Sequence, residues 1–167
     1  AGLQQLSAPA KYWTASAPIT VDAGNSHLLL EPADNFEIIC HVEYGATPLD
    51  KQDFSCIVTP ESFGRELSDS RTFCIYGELA QLLAAGLVKG GSLDNAVIMH
   101  DGAIISKDGM RHKEEFARHK MMDLVGDIYL TGMRVRAKVT AIRAGHPTHV
   151  KLAGEMLAQY AANHQNS

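Results

Sequence analysis

EEFARHKMMDLVGDIYL, residues 114–130, is the strongest helical pattern in the chain. Its apolar residues Phe116, Met122, Val125 and Ile128 predict a face that lies on a sheet. Gly132 follows as a stop, because glycine takes the left-handed conformation that ends many helices at little cost. The polar residues of the same helix carry chemistry. His119, Asp123 and Asp127 stand at i, i+4 and i+8, which stacks them along one side. An imidazole nitrogen and a carboxylate oxygen one turn apart can hold one Zn²⁺ at about 2 Å each. Asp127, one turn further, can orient a ligand or another histidine. Lys120 lies about 100° round the helix from His119 and can flank such a site, where it would neutralise a developing oxyanion. Taken alone, each of these is more often a solvated surface residue.

Downstream of the helix, Val135 to Ala144 alternates and reads as a strand. Pro147 to Ala162 reads as a second long helix. Between them stands His146, at a Gly-His-Pro junction where a strand ends and a helix begins. A protonated histidine there can give its proton to a leaving amine. The final NHQNS, 163–167, reads as a disordered tail.

Upstream, Pro18 to Val21, His27 to Glu31, Phe36 to Tyr44 and Phe54 to Thr59 read as strands. In the third, Phe36, Ile38, Cys40 and Val42 alternate to one face. Pro60 and Glu61 suit the first turn of a helix. SDSRTF, 68–73, reads as a polar loop ending in an aromatic; the hydroxyl of Thr72 can donate to an oxyanion, and Phe73 can touch acyl or sugar carbons. Gly77 to Ala85 is a short helix stopped by Gly86, and AVIMHDGAIIS is a hairpin turning at Asp101-Gly102. Residues 1–17 are small, polar and Pro-containing, a connector more than a core element. The order predicts an α+β fold, a two-layer sandwich of a mostly antiparallel sheet on two helices. His27, His41, His100, His112, His149 and His164 read as surface or structural.

The chain has 167 residues, enough for one domain that buries about 70% of its unfolded surface. A net charge of -4 argues against a nucleic-acid surface, which is normally basic. Cys40, Cys56 and Cys74 form no CxxC pair and read as packing thiols in a reducing compartment. No segment reaches the roughly 18 apolar residues of a membrane span, so a cytoplasmic protein is expected. The first residue is Ala, so the chain is expected to be processed or a piece of something longer.

Four blocks together resemble the zinc-dependent UDP-3-O-acyl-N-acetylglucosamine deacetylase family (LpxC), which acts in lipid A synthesis in Gram-negative bacteria. They are RTF at 71–73, GGSLDNAVI at 90–98, DGMRHKEEFARHKMMDLVGDIYLTG at 108–132 and RAGH at 143–146. The resemblance runs over nearly the whole chain, in order and spacing. It implies the family's second domain alone: a connector at 1–17, then residues 18–162 with a fold like domain 2 of ribosomal protein S5. A βαβ insert at about 77–105 would form a passage for the acyl chain. His119 and Asp123 are then the Zn²⁺ ligands and His146 the general acid. Asp127 supports the charged His146, Lys120 binds the charged intermediate, and Thr72 hydrogen-bonds the oxyanion. Phe73 contacts substrate, Arg143 lies near the nucleotide phosphates, and Val88, Gly91, Ser92 and Asn95 line the passage. The family's first domain supplies a Glu-His pair, the general base and the third zinc ligand. This sequence contains no Glu-His dipeptide, so the chain alone is expected to be inactive. The alternative is a stand-alone, non-catalytic module that binds a UDP-sugar or an acyl chain.

Overall fold

The computed structural model describes residues 7–45 and 51–164. One sheet and two long helices make the body, and the α+β sandwich expected from the sequence is present. The strands are β1 (Trp13–Thr14), β2 (Ile19–Ala23), β3 (Ser26–Pro32), β4 (Phe36–Glu43), β5 (Lys51–Ile57) and, much later in the chain, β9 (Val135–Ile142). They lie in the order β2-β3-β9-β4-β5, with β1 also paired to β9. The β2–β3, β3–β9 and β4–β5 pairings are antiparallel, while β9 runs parallel to β1 and β4. Thus the strand that leads into His146 is the central one, fixed by neighbours on both sides.

Helices α3 (Glu115–Tyr129) and α4 (His146–His164) cover one face of this sheet. α3 lies on β4 and β5, α4 lies on β2 and β3, and the helices touch each other. Alternation along β4 turns Ile38, Cys40 and Val42 inward, and β9 sends in Val135, Ala137, Val139 and Ala141. Phe116, Met121, Leu124 and Ile128 meet them from α3, with Leu152 and Met156 from α4. Each of the Val, Leu, Ile, Phe and Met side chains among these contributes about 1.5–3 kcal/mol by leaving water. The α3 face differs from its expected form. Met121 and Leu124 are fully buried and Met122 is only half-buried, because α3 packs on α4 as well as on the sheet.

A second sheet, β6-β7-β8, is built from Thr72–Ile75, Ala96–His100 and Ala103–Ile105. β6 and β7 are parallel and joined through α2 (Tyr76–Ala84). β7 and β8 form the expected hairpin, with Asp101 and Gly102 both at positive φ. Thr72 and Phe73, read as the end of a loop, instead open the strand β6. Its four residues are too few to show a period. The expected helix after Thr59 is α1 (Pro60–Ser62), one turn with a Thr59 capping box, running into a π turn at Phe63–Leu67. β5 starts at Lys51, before the expected Phe54, since Lys51 and Asp53 face solvent along an edge strand. Within the stretch read as a connector, Trp13 and Ala15 are buried in the core. The expected disordered tail overlaps α4 at Asn163 and His164, and 165–167 lie outside the described residues. No helix among the described residues is long and apolar enough to cross a membrane.

Candidate active site

The outer side of α3 carries the three residues at i, i+4 and i+8. His119 Nε2 stands 3.4 Å from Asp123 Oδ1. The other ring nitrogen of His119, Nδ1, is 3.3 Å from the Ser70 carbonyl and donates to it when protonated. Burial holds the His119 pKa below its ordinary value, against the pull of Asp123, so the ring stays neutral. Neutral imidazole is the form that binds metals. Asp123 Oδ2 accepts from Lys120 Nζ at 3.0 Å. Lys120 Nζ also sits 5.7 Å from the centre of the Phe73 ring. Phe73 in turn packs on Phe116, with ring centres 4.4 Å apart, and edge-on to His119 at 6.0 Å. Phe73 of β6 and the residues of α3 thus share one surface.

α4 brings in the fourth group. His146 opens that helix, Nδ1 lies 2.7 Å from Asp127 Oδ2, and Nε2 lies 3.8 Å from Asp123 Oδ2. Its side chain is 63% exposed, so Nε2 can reach a bound molecule. His149, one turn further along α4, also meets Asp127 Oδ2, from its Nδ1 at 2.8 Å. His149 is 1% exposed, and burial pushes its pKa down although Asp127 opposes the shift. The sequence reads His149 as a surface or structural histidine. It is structural in a specific sense, as the second donor to Asp127. The His-Pro-Thr-His spacing was the signal, since i and i+3 share a helix face.

Two donor sets here have the chemistry for a cation. Asp127, His146 and His149 offer atoms within 4.8 Å of one another. Both imidazoles, however, direct Nδ1 at one carboxylate oxygen, the arrangement of two N–H donors sharing an acceptor. His119 and Asp123 fit Zn²⁺ better. Ligands about 2.0–2.1 Å from a tetrahedral Zn²⁺ stand about 3.3 Å from each other, against 3.4 Å between Nε2 and Oδ1. The Ser70 carbonyl on the far nitrogen is the usual outer support of a metal-bound histidine.

The remaining expected residues lie in three places. Thr72 is exposed at the start of β6, beside Phe73. Arg143 sits just after β9 at φ 49°, with Nη1 3.3 Å from Glu43 Oε2. Val88, Gly91, Ser92 and Asn95 belong to the turns between α2 and β7. There Asn95 Oδ1 accepts from the Ser92 N–H at 2.8 Å, and Asn95 Nδ2 donates to the Gly90 carbonyl at 2.9 Å. These bonds brace the turn itself. An apolar groove of about 760 Å³ runs along the other flank of α3, lined by Tyr12, Phe36, Phe63, Val125, Tyr129 and Met133 among others. It contains none of the site residues.

The model of the family described as LpxC, UDP-3-O-acyl N-acetylglycosamine deacetylase, matches residues 1–158. The chain belongs to the LpxC family. A UDP-3-O-acyl-N-acetylglucosamine deacetylase of Anaeromyxobacter sp. (strain Fw109-5) is 35% identical over 158 residues, covering 95% of this chain and 52% of that protein. The protein of the same name from Anaeromyxobacter dehalogenans (strain 2CP-C) is 35% identical over 163 residues, covering 98% and 53%. That of Myxococcus xanthus (strain DK1622) is 32% identical over 158 residues, covering 95% and 50%. The chain therefore spans about half the length of these LpxC relatives.

Proposed function

We propose that the chain is the half of a Zn²⁺-dependent UDP-3-O-acyl-N-acetylglucosamine deacetylase that carries two metal ligands and the proton donor. The relatives' name supports the reaction class, and the cluster on α3 and α4 supports the roles. His119 and Asp123 hold Zn²⁺, with the third ligand and a glutamate base coming from the family's first domain. When bound, Zn²⁺ supplies a Lewis acid that polarises the acetamide carbonyl and makes water acidic. Thr72 donates its hydroxyl hydrogen to the oxyanion, and the Lys120 ammonium offsets the same charge. His146 then gives the proton on Nε2 to the amine as the C–N bond breaks. Asp127 holds Nδ1–H, which fixes the ring and stabilises its charged form. Acetate and the free amine of the 3-O-acylated sugar nucleotide are the products. Phe73 packs against the substrate, Arg143 faces its phosphates, and the turn with Val88, Gly91, Ser92 and Asn95 borders the acyl chain. In this reading the reaction serves lipid A synthesis in a bacterial cytoplasm.

One observation carries the proposal. Asp123 lies within 3.4 Å of His119 and 3.8 Å of His146, so the metal pair and the proton donor converge on one carboxylate. The test is a fusion of this chain to the half of the Anaeromyxobacter dehalogenans relative that it does not match. Acetate release from UDP-3-O-acyl-N-acetylglucosamine is followed with equimolar Zn²⁺ near pH 7. Turnover is expected, falling about 10²–10⁴-fold in His146→Ala. A folded, zinc-loaded fusion without turnover, or one indifferent to His146→Ala, overturns the reading.

A further inference from the structure

Glu115 and Arg71 form a buried ion pair one helical turn before His119. The Glu115 side chain is fully buried and that of Arg71 is 2% exposed. Glu115 Oε1 accepts from Arg71 Nε at 2.9 Å and from the Arg71 backbone N–H at 3.0 Å. Oε2 accepts from Arg71 Nη2 at 3.0 Å and from the Arg111 backbone N–H at 2.7 Å. Burial alone would raise the Glu115 pKa, but these four donors outweigh it and hold the carboxyl below its ordinary range.

The Arg71 N–H belongs to the Ser70–Arg71 peptide. The carbonyl of that same peptide is the partner of His119 Nδ1. A trans peptide is planar, with N–H and C=O pointing opposite ways. Glu115 and His119 lie four residues apart on α3, about 6 Å along its axis. The peptide is therefore wedged between them, its N–H directed at Glu115 and its C=O at His119. Thr72 and Phe73 follow directly and open β6.

This pair is a costly way to gain stability. Replacing a buried ion pair with apolar side chains is often neutral or stabilising. Here Arg71 Nη1 is buried without a hydrogen-bond partner among the described residues, so the desolvation cost is not fully offset. What a planar, bidentate pair does supply is a fixed geometry.

We propose that Glu115 and Arg71 are positioning residues for His119. They lock the Ser70–Arg71 peptide so that its carbonyl holds the proton on Nδ1 and leaves Nε2 bare, facing Asp123. The proposal rests on His119 being a metal ligand. It makes a claim that needs no metal: His119 is a single Nδ1–H tautomer in the metal-free chain.

The test uses the 167-residue chain with Arg71→Met and Glu115→Leu combined, which replaces the pair by apolar groups of similar size. The His119 tautomer is read from ring ¹⁵N shifts, and Co²⁺ affinity is read by chelator competition. In the wild type one tautomer is expected. In the double variant, judged folded by circular dichroism, mixed tautomers and a 10–100-fold loss of Co²⁺ affinity are expected. An unchanged tautomer with unchanged affinity overturns the proposal. Should the double variant not fold, Glu115→Gln decides. It keeps one acceptor for the Arg71 N–H without the charge, and a loss of about 10-fold is expected. Wild-type affinity there overturns the proposal. Failure of the metal reading looks different: His119→Ala would bind Co²⁺ as well as the wild type does, while the tautomer shifts still judge the pair.

Discussion

Replacing His149 by leucine removes the buried one of Asp127's two histidine partners. The imidazole is 1% exposed and its Nδ1 is 2.8 Å from Asp127 Oδ2. Burial lowers its pKa from the ordinary 6.5, with Asp127 opposing. A neutral His149 gives Asp127 one N–H. Below pH 6.5 the unfolded chain takes up a proton that the folded chain resists. The stability associated with His149 is therefore intact above that value and is lost as the pH falls toward the folded pKa. One group can contribute at most about 1.4 kcal/mol per pH unit. At pH 7.5, His149→Leu forfeits a hydrogen bond to a charged acceptor, about 1.5–3 kcal/mol, partly offset by burying an apolar group instead. The variant should be the less stable at pH 7.5, and the gap should narrow by up to about 1.4 kcal/mol at pH 5.5. His119 shifts the same way, so some pH dependence survives in both proteins. Urea unfolding at the two pH values, followed by circular dichroism, measures this. A gap that stays constant or widens at pH 5.5 would mean that the folded chain holds His149 charged, and the reasoning fails.

Two further predictions concern the frame of the site. Phe116 is fully buried beneath Phe73, so Phe116→Ala should cost about 3–5 kcal/mol, seen as a lower urea midpoint; a cost under about 1 kcal/mol would show that the site surface is not anchored there. Burial pushes the Cys40 thiol up to about 12, and only thiolates alkylate readily. At pH 8, iodoacetamide should label the half-buried Cys56 and Cys74 first and Cys40 only on unfolding, as mass spectrometry would detect.

The legible parts of the site were those fixed by one helix's own period. His119, Asp123 and Asp127 share a face whatever α3 packs on, and the structure places them so. What depended on a second element was harder to read. The period of α3 does not single out Met121 and Leu124, which are buried where the helix packs on α4 as well as on the sheet. His149 gained its role only when α4 docked beside Asp127. β1 is two residues long and exists through its parallel pairing with β9, more than a hundred residues away, so no local pattern announces it. The Arg71–Glu115 pair joins a strand entrance to a helix start, and only the fold brings its halves together. The resemblance to LpxC reached across elements in another place, pairing Asp127 of α3 with His146 of α4, because motif order carries tertiary information that periodicity lacks.

The central claim is that the metal belongs to His119 and Asp123 while His146 moves a proton. The most direct measurement is the zinc content of the purified fusion protein in three forms: wild type, His119→Ala and His146→Ala. The account predicts that His119→Ala loses the metal, and that His146→Ala keeps it near the wild-type level while turnover falls. Loss of zinc in His146→Ala with retention in His119→Ala would contradict it and would move the metal to the Asp127, His146 and His149 cluster.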